Sequence, residues 1–150
     1  MLFHKLISTS LGIGYIGKGA GTVAAVACCI CWYCAWAAGY QLIPSLIITI
    51  AITLLGIWSS NVVCKIWGKD PARVVIDEVA GMCISLLFVP VTIKYVLTAL
   101  ILFRFFDIAK PLFIRKLEKL PGGWGVMFDD VLAGIYANVI LQTILWFKLF

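Results

Sequence analysis

The sequence predicts an all-α fold: a polytopic membrane helical bundle of about five spans, preceded by an N-terminal half-inserted segment. Three observations lead there. Of the 150 residues, 63% are hydrophobic and only 13% are charged, whereas a soluble domain keeps roughly a quarter of its residues charged. Mean hydropathy is +1.09. Apolar runs recur along the chain at lengths near the ~20 residues that a helix needs to cross a bilayer. Residues 1–150 read as a single domain.

The elements follow in order. Residues 6–16 are apolar but rich in Gly and Ser, which suits a segment that only half inserts. Residues 22–38 (TVAAVACCICWYCAWAA) form the first predicted span, closed by Gly39. Residues 42–64 form the second and longest. Residues 79–89 (VAGMCISLLFV) form a third, stopped by Pro90 and too short to cross unless extended back through Asp77. Residues 91–106 and 131–147 supply the fourth and fifth. No compact apolar stretch with a small-residue cleavage site follows Lys5, so residue 1 is expected to belong to the working protein.

Five spans with the N-terminus inside put Lys5, Lys18, Lys65, Lys69, Arg73, Arg104, Lys110, Arg115, Lys116 and Lys119 on one side. Only Lys94 and Lys148 fall on the other. That bias predicts a cytoplasmic N-terminal side. The acids played no part in the assignment, yet Asp70, Asp77, Glu78, Asp107, Glu118, Asp129 and Asp130 all land with the basic majority.

Composition also narrows the partners. A net charge of +5 is not a nucleic-acid signal here, because basic residues beside spans serve topology and anionic-lipid contact, and little soluble face remains. The six cysteines include a CxxC at Cys31 and Cys34, but it lies inside an apolar run and His4 is the only histidine. A zinc site needs four such ligands at loop spacings, so the cysteines read as small apolar helix residues.

The carboxylates point to chemistry. Asp77 and Glu78 stand where a loop meets the third span, in DEVAG; Asp129 and Asp130 stand at the fifth, in DDVLAG; Asp107 closes the fourth. Helix capping accounts for one acid per helix start. It does not account for two adjacent pairs plus an aspartate at a helix end. Gly81 and Gly134 would let their helices approach closely and draw the pairs together. Converging carboxylates repel, and a divalent cation relieves the repulsion; all-oxygen ligands suit magnesium, which also bridges to substrate phosphate. Arg104 and Lys110 lie one turn either side of Asp107 as candidate phosphate contacts. The loop PGGWG (residues 121–125) and the stretch GIGYIGKGAGT (residues 12–22), with Lys18 and Thr22, offer glycines for backbone approach to phosphate. The second stretch lacks the GK[ST] order of a P-loop.

Three segments, KDPARVVIDEVAGM (69–82), FRFFDIAKPLFIRKLE (103–118) and GGWGVMFDDVLAG (122–134), resemble the phosphatidylglycerophosphatase A family in content and order. The likeness runs over roughly residues 10–145. The family's N-terminal Pro-Gly-Thr stands here as Ala20-Gly21-Thr22. The resemblance implies a small bacterial inner-membrane enzyme, multi-pass, with its site on the cytoplasmic side. It would hydrolyse phosphatidylglycerophosphate to phosphatidylglycerol and phosphate, with Mg2+ as cofactor. Asp77, Glu78, Asp107, Asp129 and Asp130 become candidate catalytic acids, with Asp77, Glu78, Asp129 and Asp130 as metal ligands. Lys18, Thr22, Asp70, Arg104 and Lys110 become candidate substrate contacts.

With one histidine and no D-x-D-x-[TV] run, histidine-based and aspartyl-phosphate routes lack their residues. A phosphatase of other lipid phosphomonoesters is the nearest alternative. A transporter would place ionisable groups near mid-membrane, and a non-catalytic subunit has no need of clustered acids. A phospholipid phosphotransferase would need a nucleotide-linked lipid. The expected partners are a phospholipid substrate and the bilayer, with no nucleic acid. Oligomeric state is left open by the sequence.

Overall fold

The computed structural model describes residues 1–149, and every regular element among them is helical. The elements are α1 (Leu2–Ser8), a 3-10 turn (Ile13–Ile16), α2 (Ala20–Ala37), α3 (Leu42–Trp67), α4 (Ile76–Leu86), α5 (Ile93–Ala109), α6 (Ile114–Leu117) and α7 (Gly123–Trp146). Among the described residues, α2, α3 and α7 are long and apolar enough to cross a membrane. These match the first, second and fifth predicted spans.

The third and fourth predicted spans are shorter elements. At 11 residues, α4 reaches about 16 Å, roughly half of a ~30 Å hydrocarbon core. It stops at Leu87, whose backbone is extended, three residues before Pro90. The 17 residues of α5 carry Lys94, Arg104 and Asp107 near their two ends. The N-terminal segment folds as α1 and the 3-10 turn. It docks on the C-terminal half of α3: His4 meets Trp58 edge-on at 4.7 Å between ring centres, and Ser8 and Thr9 are fully buried.

A helix that stops short inside a bundle leaves its last carbonyls without donors. In hydrocarbon no water supplies them. Here α7 does so. Asn138 Nδ2 donates to the carbonyls of Ile84 (3.1 Å), Ser85 (3.1 Å) and Leu87 (2.7 Å). Gln142 Nε2 donates to Phe88 O at 3.0 Å. These two amides, one turn apart on α7, hold the inner end of α4.

The other end of the α4–α7 contact is set by glycine. A Cβ on Gly134 would run into the carbonyl of Gly81, and one on Gly81 would run into Phe103 and the carbonyl of Asp130. The two backbones therefore touch where the sequence has two AG pairs. Around that contact the core is built from Met82, Leu86, Phe103, Ala133, Ala137 and Leu141, all nearly or fully buried. A second cluster, with Ile57, Val63, Val126 and Met127, packs α7 on α3. There Gly123 N–H donates to Asn61 Oδ1 at 2.8 Å.

The role of Asn138 is testable. Asn138→Leu removes the amide donor from three carbonyls, of which Ile84 O keeps the Leu87 N–H and Leu87 O a long contact from Gln142. An unsatisfied buried group costs about 1–3 kcal/mol. The thermal midpoint in detergent should fall clearly, and further than for Gln142→Leu. An unchanged midpoint for Asn138→Leu would show that α4 is held some other way.

Candidate functional site

Both α4 and α7 start at the same end of the bundle and run in parallel. Asp77 lies four residues before Gly81, and Asp130 four before Gly134. Equal offsets from a shared contact bring these two acids opposite each other, because residues four apart share a helix face. Glu78 joins them. One carboxylate oxygen from each of Asp77, Glu78 and Asp130 lies within 4.8 Å of the others. Asp77 and Asp130 are buried, at 8% and 3% exposure. Glu78 sits against Gly21 of α2, where a Cβ would collide with its carboxylate.

Asp129 is one residue further round α7, about 100° from Asp130, and faces a different partner. Lys110 Nζ donates to its Oδ2 at 2.7 Å and lies 3.6 Å from Glu118. The sequence grouped Asp129 with the metal ligands; in the structure it pairs with Lys110 and stands outside the three carboxylates that approach within 4.8 Å. Asp107, in the last turn of α5, is ion-paired with Arg104.

These groups line one cavity of about 730 Å³. The walls hold Asp70, Asp77, Glu78, Asp107, Asp129 and Asp130, with Lys18, Arg104 and Lys110 between them. Nine of the ten sequence-predicted residues are thus assembled around one space. The tenth, Thr22, is exposed and does not line the cavity; Gly21 occupies the inward position of α2, and the next residue turns away. The PGGWG glycines do not line it either. That stretch is the start of α7, so Asp129 and Asp130 lie more than a turn inside the helix. Capping does not explain them.

Arg73 was missed as a site residue. It lines the cavity, with its guanidinium near the rings of Tyr15 (5.9 Å) and Trp67 (5.8 Å). Its position depends on the fold of the loop before α4, where Val75 N–H donates to Ser8 O at 2.8 Å. No local pattern in the sequence signals that contact.

Electrostatics supply a test for a cation. Burial first, then the charges of Glu78 and Asp130, push Asp77 well above the usual carboxylate range. Burial likewise raises Glu78, with Asp107 adding to the shift. Asp77 Oδ1 and Glu78 Oε2 are buried with no hydrogen-bond partner among the described residues. Acceptor-only oxygens, crowded and unpartnered, fit a hard divalent cation such as magnesium. Arg104 Nε is a buried donor without a partner among the described residues, as a phosphate contact would require. Burial lowers the pKa of Lys110, but the Asp129 hydrogen bond and charge outweigh it, and the net shift is upward.

An all-helical membrane-associated chain whose carboxylates and cations face one another across a cavity fits the class of membrane phosphatases. The family model for phosphatidylglycerophosphatase A matches residues 6–145. A Bacteroides thetaiotaomicron protein, provisionally named a phosphatidylinositol-3-phosphatase, is 41% identical over 151 residues, covering 94% of this chain and 92% of that protein. Phosphatidylglycerophosphatase A of Haemophilus influenzae is 45% identical over 82 residues, covering 53% of this chain and 50% of the relative. The Escherichia coli protein of that name is 31% identical over 142 residues, covering 93% and 81%. No solved structure matches the chain. The chain belongs to the phosphatidylglycerophosphatase A family, and it is a phosphatase.

The Lys110–Asp129 pair makes a pH prediction. A lysine whose folded pKa exceeds its unfolded value of ~10.4 contributes stability that is fully present below about pH 10 and lost as pH rises through the folded value. The thermal midpoint of Lys110→Met should therefore sit below wild type by a constant amount from pH 7 to 9, with the gap closing above about pH 10. A gap that closes between about pH 7 and 9 would contradict the pairing.

Proposed function

We propose that the chain removes the terminal phosphate of phosphatidylglycerophosphate, giving phosphatidylglycerol and inorganic phosphate. The reaction depends on magnesium and occurs at the cytoplasmic face of a bacterial inner membrane. The observation that carries this reading is the meeting of Asp77, Glu78 and Asp130 within 4.8 Å, in a cavity also lined by Arg104 and Lys110. Family membership supports the substrate, and the charge bias of the flanking residues supports the side. Five membrane-inserted segments, with α4 enclosed by the bundle and α5 exposing one apolar face at its surface, accommodate the same topology.

Asp77, Glu78 and Asp130 would hold the magnesium ion, which supplies charge neutralisation and polarisation at a phosphoryl oxygen. Arg104 and Lys110 bind the remaining phosphate oxygens; Lys110 stays protonated for this throughout the neutral range. Asp107 lines the cavity outside the acidic triad and serves as general base. It takes a proton from water as the water oxygen bonds to phosphorus. The phosphorus–oxygen ester bond breaks, and the proton passes to the departing alcohol oxygen. Asp129 keeps Lys110 in place. Asp70 and Lys18 stand at the exposed rim, where they contact the glycerol part of the head group.

A second reading has one observation in its favour: the Bacteroides relative named for a phosphoinositide matches nearly the full chain. One assay separates the two. Purified protein should release phosphate from phosphatidylglycerophosphate far faster than from phosphatidylinositol-3-phosphate or phosphatidic acid, and EDTA should stop it until magnesium is restored. Glu78→Gln and Asp130→Asn should each lower kcat at least about 100-fold, near 2.7 kcal/mol. Full turnover in EDTA would remove the metal from the mechanism. Preference for the inositol lipid would favour the second reading.

A further inference from the structure

Helices α2 and α3 are joined by a four-residue connection. Antiparallel helices so closely linked ordinarily pack along their length, yet these two make little direct contact. The space between them is a cavity of about 510 Å³ whose walls are almost wholly apolar. One end reaches Ile13, Ile76 and Val79, the chain neighbours of Gly14, Asp77 and Glu78 in the phosphate cavity. The other reaches Trp36 and Tyr40 at the far end of α2. From Ala24 to Trp36 the groove follows twelve helical steps, about 18 Å. One leaflet's share of the hydrocarbon core is about 15 Å.

We infer that this groove is the seat of one acyl chain of the lipid whose phosphate enters the acidic cavity. An apolar gap between two membrane helices must be filled by something apolar, because an empty one forfeits dispersion contacts on both walls. Continuity with the polar cavity selects the substrate's own chain over bulk lipid. With the terminal phosphate in the acidic cavity, the head-group glycerol and the phosphodiester span that cavity, and the acyl-bearing glycerol follows at the mouth of the groove. Small residues at Ala24, Ala27 and Ala35 keep the α2 wall low. The groove opens sideways, so a lipid enters from the leaflet without leaving the bilayer. The chain thus orients the head group, converting lateral diffusion into a fixed approach.

This inference rests on the proposed phosphatase reading, and its test separates the two. Ala27→Trp and Ala35→Trp would fill the groove from α2. Phosphate release is measured on dipalmitoyl phosphatidylglycerophosphate and on a dibutyryl analogue whose chains are too short to occupy it. The long-chain to short-chain ratio of kcat/KM should fall about tenfold in either variant, near 1.4 kcal/mol. Equal loss on both substrates, or none on either, would overturn the groove and leave the phosphatase reading intact. Wild-type protein inert toward both would instead overturn phosphatidylglycerophosphate as the substrate. A photoreactive diazirine near the middle of the phosphatidylglycerophosphate acyl chain gives a readout independent of turnover. Labelling of α2 and α3 should be displaced by unlabelled phosphatidylglycerophosphate but not by the same amount of phosphatidylcholine. Equal displacement by both lipids would identify bulk lipid as the occupant and overturn the inference.

Discussion

The backbone contact between Gly81 and Gly134 is the constraint on which the rest of the structure depends. Two parallel helices touch there without intervening side chains, and one turn before each glycine stands an aspartate. Asn138 and Gln142 fix the far end of the same pairing by holding the carbonyls of a helix too short to cross. Spacing between α4 and α7 is therefore set at both ends, by backbone at one and by amide hydrogen bonds at the other. The acids have little room to move apart.

That closeness has an electrostatic consequence. Two carboxylate charges 4.8 Å apart repel by about 3 kcal/mol at an effective dielectric near 20, and three such charges form three pairs. A fold of ordinary stability, about 5–15 kcal/mol, does not carry that load without protons or a cation in place. The neighbouring pairs, Arg104–Asp107 and Lys110–Asp129, settle Asp107 and Asp129 with their own cations. On the proposed reading this division is the working principle of the site. Paired acids hold the cations that meet phosphate, Asp107 also taking the proton from water, and the triad holds the metal.

Much of this was legible in the sequence because helix periodicity alone supplies it. The AG pairs behind the acids imply that DEVAG and DDVLAG meet, and the one-turn spacing of Arg104 and Asp107 implies a shared face. Lys110 sits just past α5 in a left-handed conformation that periodicity does not reveal. Helix register across a loop was harder to read. The start of α7 at Gly123 turned an apparent glycine loop into helix, so Asp129 rotated away from Asp130 toward Lys110. Thr22 lies outside the cavity for the same reason, one residue out of phase with Gly21. Arg73 and the amide hold on α4 depend on contacts between segments about fifty or more residues apart, for which a single sequence carries no local mark. The number of spans was counted from apolar runs, and α4 shows why that is fragile: hydrogen bonds from a neighbour let a helix end inside the bundle.

The most direct test of the central claim is Mn2+ electron paramagnetic resonance on the purified protein, because it reads the cation site without needing turnover. One bound Mn2+ per chain is expected in wild type, displaced by magnesium and strongly weakened in Asp77→Asn, Glu78→Gln and Asp130→Asn, but retained in Asp129→Asn. Equal binding in all four variants, or its loss in Asp129→Asn alone, would show that the triad joined by α4 and α7 is not where the cation sits.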